Sequence, residues 1–201
     1  MARPTNRLRA LRLGLWGLVL VCGLGASWLF LSGPAQQPTD TLGQGDYRLD
    51  TTAGAPFTQA SLRGQPSLVF FGFTHCPDVC PTTLGDIGAW QQALGQLAAG
   101  LKVWFVTVDP ERDTAEVLGD YVGWLPGATG ATGSRAETDK ALAAFRIYAR
   151  KVPLDGDDYA MDHSAYVMLF DAGGRFNQIF AYREPHDQVV AKLRRALAGN
   201  G

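Results

Sequence analysis

Apolar and polar positions along the chain fall into blocks of different period. The first block has no period at all. Leu13 to Leu31 (LGLWGLVLVCGLGASWLFL) is 19 residues long without a charge, and the next charged side chain is Asp40. At a helical rise of ~1.5 Å per residue it reaches roughly 28 Å, close to the hydrocarbon thickness of a bilayer. Trp16 and Trp28 lie toward its ends, where indole rings favour the headgroup region. The pattern predicts a membrane-anchoring helix over 13–31. A cleaved signal peptide is the competing reading, but its apolar core usually runs ~7–15 residues, and no clean A-x-A site follows here.

From about residue 46 the blocks shorten. Ser67–Phe73 (SLVFFGF), Leu101–Val108 (LKVWFVTV) and Ala165–Phe170 (AYVMLF) are apolar on both alternating faces, as strands covered on both sides must be. Residues 47–50 and the region of Phe57 suggest a short hairpin or edge strand. After Pro81 the spacing of Leu84, Ile87, Leu94 and Leu97 predicts a helix with one apolar face. Further helices are expected over 114–124, capped by Thr114 or Asp113, over 137–145, and from about Pro185 to Ala198 with Val189, Val190, Leu193 and Leu197 inward. Asp171-Ala172-Gly173-Gly174 is turn chemistry that pairs the third strand with residues 175–182. The order is β-α-β-α, an insert, then β-β-α. This is the order of a thioredoxin-like α/β fold: a central mixed β-sheet flanked by helices, here preceded by one N-terminal transmembrane helix.

Charge divides the chain more sharply than its near-neutral total suggests. Residues 1–12 hold four arginines and no acid, which leaves residues 13–201 with 14 basic and 19 acidic side chains. Arginines ahead of an apolar helix keep that end in the cytoplasm. The expected organisation is a basic cytoplasmic tip (1–12), an anchor (13–31), a Gly/Pro/Gln/Thr-rich tether (32–45) and one folded domain (46–201) outside the membrane, in a periplasm. A nucleic-acid binder concentrates its basic residues in the folded part, so that class is excluded.

Three cysteines are too few for a disulfide scaffold. Cys22 lies within the anchor and reads as a small apolar residue. Cys76 and Cys80 lie in Thr74-His75-Cys76-Pro77-Asp78-Val79-Cys80-Pro81, between the first buried strand and the first helix. Residues four apart share a helix face, and a helix N-terminus favours a thiolate, the form that attacks disulfides and binds soft metals. A structural disulfide is the bland alternative. For copper, two thiolates leave room for an imidazole. His163, just before the third strand, is the best candidate. His75 adjoins Cys76, but strand geometry can aim it elsewhere, and His186, at the start of the last helix, reads as a surface side chain. Asp109 reads as a helix cap, Asp162 as a partner that orients His163 or meets another protein, and Asp78 as solvated.

Phe71–Leu84 (FGFTHCPDVCPTTL), Thr107–Thr114 (TVDPERDT) and Asp162–Asp171 (DHSAYVMLFD) resemble the signature blocks of the Sco/SenC family, in the family's order, and the resemblance covers about residues 45–198. It implies a membrane-tethered, thioredoxin-like copper protein that helps build the CuA centre of cytochrome c oxidase. Carried over, the metal ligands are Cys76, Cys80 and His163. The expected function is a copper chaperone in a bacterial inner membrane. Its expected partners are the copper-accepting oxidase subunit, a periplasmic thiol reductant and another copper donor. The alternative is a thiol–disulfide oxidoreductase in which Cys76 and Cys80 are the redox pair. A peroxiredoxin-like peroxidase fits less well: Thr74 precedes Cys76 by two positions, not three.

Overall fold

The computed structural model describes residues 6–32, 41–156 and 158–198. It divides into two compact units, Met1–Gln37 and Pro38–Gly201. In the first, Asn6–Ser32 forms helix α1. Apolar side chains point to all sides of it, and Leu13, Trp16, Leu20 and Leu24 are more than half exposed. Among the described residues no helix is long and apolar enough to cross a membrane. The transmembrane assignment thus rests on the sequence and not on the structure. The start of the basic tip and most of the tether lie outside the described residues.

The second unit is built on a six-stranded sheet in the order β1-β4-β3-β2-β7-β8. Its strands are β1 (Asp50–Thr51), β2 (Ser67–Gly72), β3 (Lys102–Thr107), β4 (Ala128–Thr132), β7 (Val167–Phe170) and β8 (Phe176–Phe180). β2, β3 and β4 run parallel, while β1 on β4, β7 on β2 and β8 on β7 pair antiparallel. Every residue of β2 is buried, as its two-faced apolar run requires. Phe70 is opposite Phe105 on one face, which is covered by α2 (Val79–Leu94), α3 (Ala115–Val122) and α5 (His186–Ala198). There Trp90 meets Phe180 and Tyr121 meets Phe105. On the other face Phe71 packs on Phe145 of α4 (Arg135–Phe145), and Trp104 packs on Phe57. This is the thioredoxin-like sandwich.

The departures from the sequence reading have local causes. α2 ends at Leu94 and a 3-10 turn, Gly95–Ala98, follows, so Leu97 rotates off the apolar stripe and is exposed. Thr114 alone caps α3, accepting from Val117 N–H, because the Asp113 side chain is used elsewhere. β4 lies in the segment read as an insert. Its sequence, Ala-Thr-Gly-Ala-Thr, has no apolar period, and smallness is what the place demands: a Cβ on Gly130 would come within 2.7 Å of Leu118 on α3. Two further strands, β5 (Ala149–Pro153) and β6 (Tyr159–His163), form a separate ribbon. Their side chains are mostly partly or fully exposed, so no burial pattern announces them.

Candidate metal and thiol site

β2 delivers the chain to the site and α2 receives it. Between them, residues 73–78 form the loop that carries Cys76, while Cys80 is the second residue of α2 and fully buried. Asp78 holds the N-cap position of α2 but makes no side-chain cap bond, and its carboxylate accepts from Thr82 Oγ1 instead. The orphan N–H of Cys80 is taken up by sulfur: it donates to Cys76 Sγ at 3.4 Å. Both thiols are unbridged.

One negative charge suits this pair, and it belongs on Cys76. The Cys76 thiol is drawn down to about 4, first by the hydrogen bond from the Cys80 thiol. His163 and the backbone N–H groups of Cys80 and Asp78 add to this, against the opposing effect of burial. Cys80 is pushed far above the ordinary thiol range by the bond it shares with Cys76, by burial, and by the charges of Cys76 and Asp113. The pair thus shares one proton, and burial of Cys80 favours the charge on the more accessible Cys76.

His163 ends β6 and is half-buried. Its Nδ1 lies 2.9 Å from the Ser164 carbonyl. A carbonyl can only accept, so Nδ1 carries a proton, and in the neutral ring Nε2 is then the nitrogen whose lone pair a metal would take. That Nε2 is 3.8 Å from Cys80 Sγ. The Phe73 ring meets the imidazole edge-on, with centroids 5.7 Å apart. The fold therefore brings Cys76, Cys80 and His163 together. It leaves His75 and His186 exposed on the surface and Cys22 exposed on α1. Asp162 is exposed, opposite Arg150 in the ribbon. Among the described residues no group of three or more His, Cys, Asp or Glu stands ready-made to hold a metal ion.

The sequence matches the family model described as SCO1/SenC over residues 35–198. The chain belongs to the SCO1/SenC family. It is 37% identical to the human mitochondrial protein SCO2 homolog over 212 residues, covering 97% of this chain and 77% of the human one. It is also 37% identical to the SCO2-like protein RP587 of Rickettsia prowazekii, over 68% of each chain. Among solved structures it is similar to copper-bound ScoI of Bradyrhizobium japonicum (40% identity, TM-score 0.70, 77% of this chain and 99% of that one). It is likewise similar to copper-bound yeast Sco1 (32% identity, TM-score 0.71, 79% and 89%).

Three supports of this SCO1/SenC site are not evident from residue types alone. Asp113 is fully buried and fastens the cysteine loop to β3: it accepts from Thr74 N–H (3.1 Å), Thr74 Oγ1 (2.6 Å) and Thr107 Oγ1 (2.6 Å). Gly72 makes room for the buried sulfur, since a Cβ there would lie 2.9 Å from both Cys80 Sγ and the Phe105 ring. Asp109, read as a helix cap, is instead fully buried against Arg112 and Tyr159. The acids of the Thr107–Thr114 block were visible in the sequence, but nothing there shows which element each one ties down.

Proposed function

We propose that this SCO1/SenC protein is a membrane-anchored copper chaperone. Cys76, Cys80 and His163 hold one copper ion as cargo and deliver it to the CuA centre of cytochrome c oxidase during assembly. The observation that carries this reading is the approach of His163 Nε2 to the paired thiols. With bonds of ~2.3 Å to sulfur and ~2.0 Å to nitrogen, as at zinc, a trigonal ion places those atoms about 3.7 Å apart. The 3.8 Å separation fits that spacing. Copper must still draw the donors in around itself rather than enter a finished cage. The donor set suits it: two thiolates favour the cuprous ion, and the imidazole accommodates the cupric ion. Copper is also what the solved relatives from Bradyrhizobium and yeast hold.

The uncharged run 13–31, behind four arginines, supports an anchor in a bacterial inner membrane with the domain in the periplasm. An oxidising compartment would close the thiols, so a thiol reductant is an expected partner beside the oxidase subunit and a copper donor. The test is copper loading of the reduced full chain in detergent, with His163→Ala and Cys76→Ser alongside. Each variant should lose affinity and change its spectrum. Unchanged stoichiometry and spectra in both would sink the three-ligand site.

A second reading, a thiol–disulfide oxidoreductase acting on the oxidase cysteines, is favoured by one observation. Cys76 is a stabilised thiolate backed by a buried thiol, the layout of an attacking and a resolving cysteine. Turnover on a protein disulfide, with weak copper binding, would put it first.

A further inference from the structure

β5 and β6 pair with each other and, among the described residues, with no strand of the main sheet. His163 is the last residue of β6, so its position depends on what holds this ribbon to the body. One attachment is at the opposite end of the strand; nearer the histidine, Met161 is buried in the core and the chain enters β7 four residues after His163. Arg112, in the loop after β3, binds Asp109 through Nε, and through Nη1 it reaches Asp158 Oδ1 (3.2 Å) and the Tyr159 carbonyl (3.0 Å). Its guanidinium lies 3.8 Å from the centroid of the Tyr159 ring, and the Tyr159 hydroxyl donates back to Asp109 Oδ1 at 2.8 Å. Lys151 of β5 also lies over that ring, at 4.4 Å.

The same arginine reaches toward the histidine end. Its Cζ is 6.0 Å from the centroid of Phe73, the ring that meets His163 edge-on. This arrangement is costly. Asp109 is fully buried, and Arg112 Nη2 is buried with no hydrogen-bond partner. A desolvated ion pair with an unmet donor contributes little net stability, and fixing one geometry is the best-attested use of such a pair.

We propose that Asp109, Arg112 and Tyr159 form a clasp that fixes the β5–β6 ribbon and so sets the reach of His163 Nε2 to the two thiols. They are positioning residues. The proposal rests on the reading of His163 as a copper ligand. With the clasp open, the dative bond from Nε2 to copper breaks and the neutral imidazole keeps its electron pair. Copper stays on two thiolates with its oxidation state unchanged, one ligand short of its resting set and ready for a donor from an acceptor protein.

Two readouts test this on the reduced full chain in detergent. Without copper, the rate of diethyl pyrocarbonate modification at His163 is followed by peptide mass mapping, with exposed His75 and His186 as internal references. Arg112→Ala should raise the His163 rate about tenfold, and Tyr159→Phe, which removes one hydrogen bond and keeps the ring, by a smaller factor. Arg112→Lys should resemble the alanine variant, because an ammonium cannot bridge these partners as the planar fork does. With cupric ion, Arg112→Ala should retain one copper per chain but lose nitrogen hyperfine coupling, approaching the spectrum of His163→Ala. Parent-like His163 rates and nitrogen coupling, with only a lower melting temperature, would overturn the clasp. Should His163→Ala keep the parent's nitrogen coupling, the ligand assignment itself fails. The modification rates would then still decide whether the clasp positions the ribbon.

Discussion

The Cys80 sulfur rests on Gly72, where a Cβ would approach it to 2.9 Å. The last residue of β2 is thus the floor of the thiol site. Gly72→Ala should cost about 1–3 kcal/mol of stability, as overpacking of a full core does, and weaken copper binding. Urea denaturation and copper titration measure the two effects. In a Cys80→Ala background the stability cost should shrink, because one of the three close contacts is with Sγ. The remainder belongs to the Phe105 ring.

Cys76 should behave as a thiolate through the neutral range. Its alkylation rate is expected to stay flat from about pH 8 to pH 6 and to fall only near pH 4, where its thiol titrates. A free thiol instead loses rate below pH ~8.5. The depressed thiol also contributes stability. That contribution is complete above the ordinary thiol value and is lost as pH falls through about 4. Cys80 has the opposite sign, costing stability only in the alkaline range. Unfolding curves of the reduced protein and of Cys76→Ser, compared from pH 5 to pH 9, should therefore converge toward the acid end.

Proton counting tests the same pair through its cargo. Near pH 7 Cys76 is already charged and Cys80 holds the proton, so copper on both sulfurs should release about one proton per ion. Calorimetry in buffers of different ionisation enthalpy measures this number. Release of two protons at pH 7 would mean that the thiolate is not preformed.

Asp113→Asn should loosen the cysteine loop from below. The carboxylate takes three hydrogen bonds, from Thr74 and Thr107, and an amide cannot accept all of them at both oxygens. The expected cost is about 1–3 kcal/mol, read by thermal or urea unfolding. Asp113→Ala should cost more. If both variants match the parent in stability and copper affinity, the loop is held by other contacts.

Legibility followed the range of the interactions. β2, β3, β7 and the apolar faces of α2 and α5 were readable because burial on a sheet or helix imprints a period on neighbouring residues. Cys76 and Cys80 were readable for the same reason: their relation spans four residues. β4 was not readable, since its small residues answer to Leu118 on a distant helix. The ribbon was not readable either, since its strands answer chiefly to each other.

By itself the sequence determined the uncharged 13–31 run, the sheet-and-helix order and the thiol pair at a helix start. All of these are consequences of local spacing. Tertiary structure decided that His163, 83 residues from Cys80, turns Nε2 toward it. It also decided that the charge belongs on Cys76, that Asp113 is a loop fastener rather than a cap, and that Arg112 reaches both Tyr159 and Phe73. The reason is physical. Distances across the chain, burial and the field of neighbouring charges exist only once strands from separate parts of the sequence lie side by side.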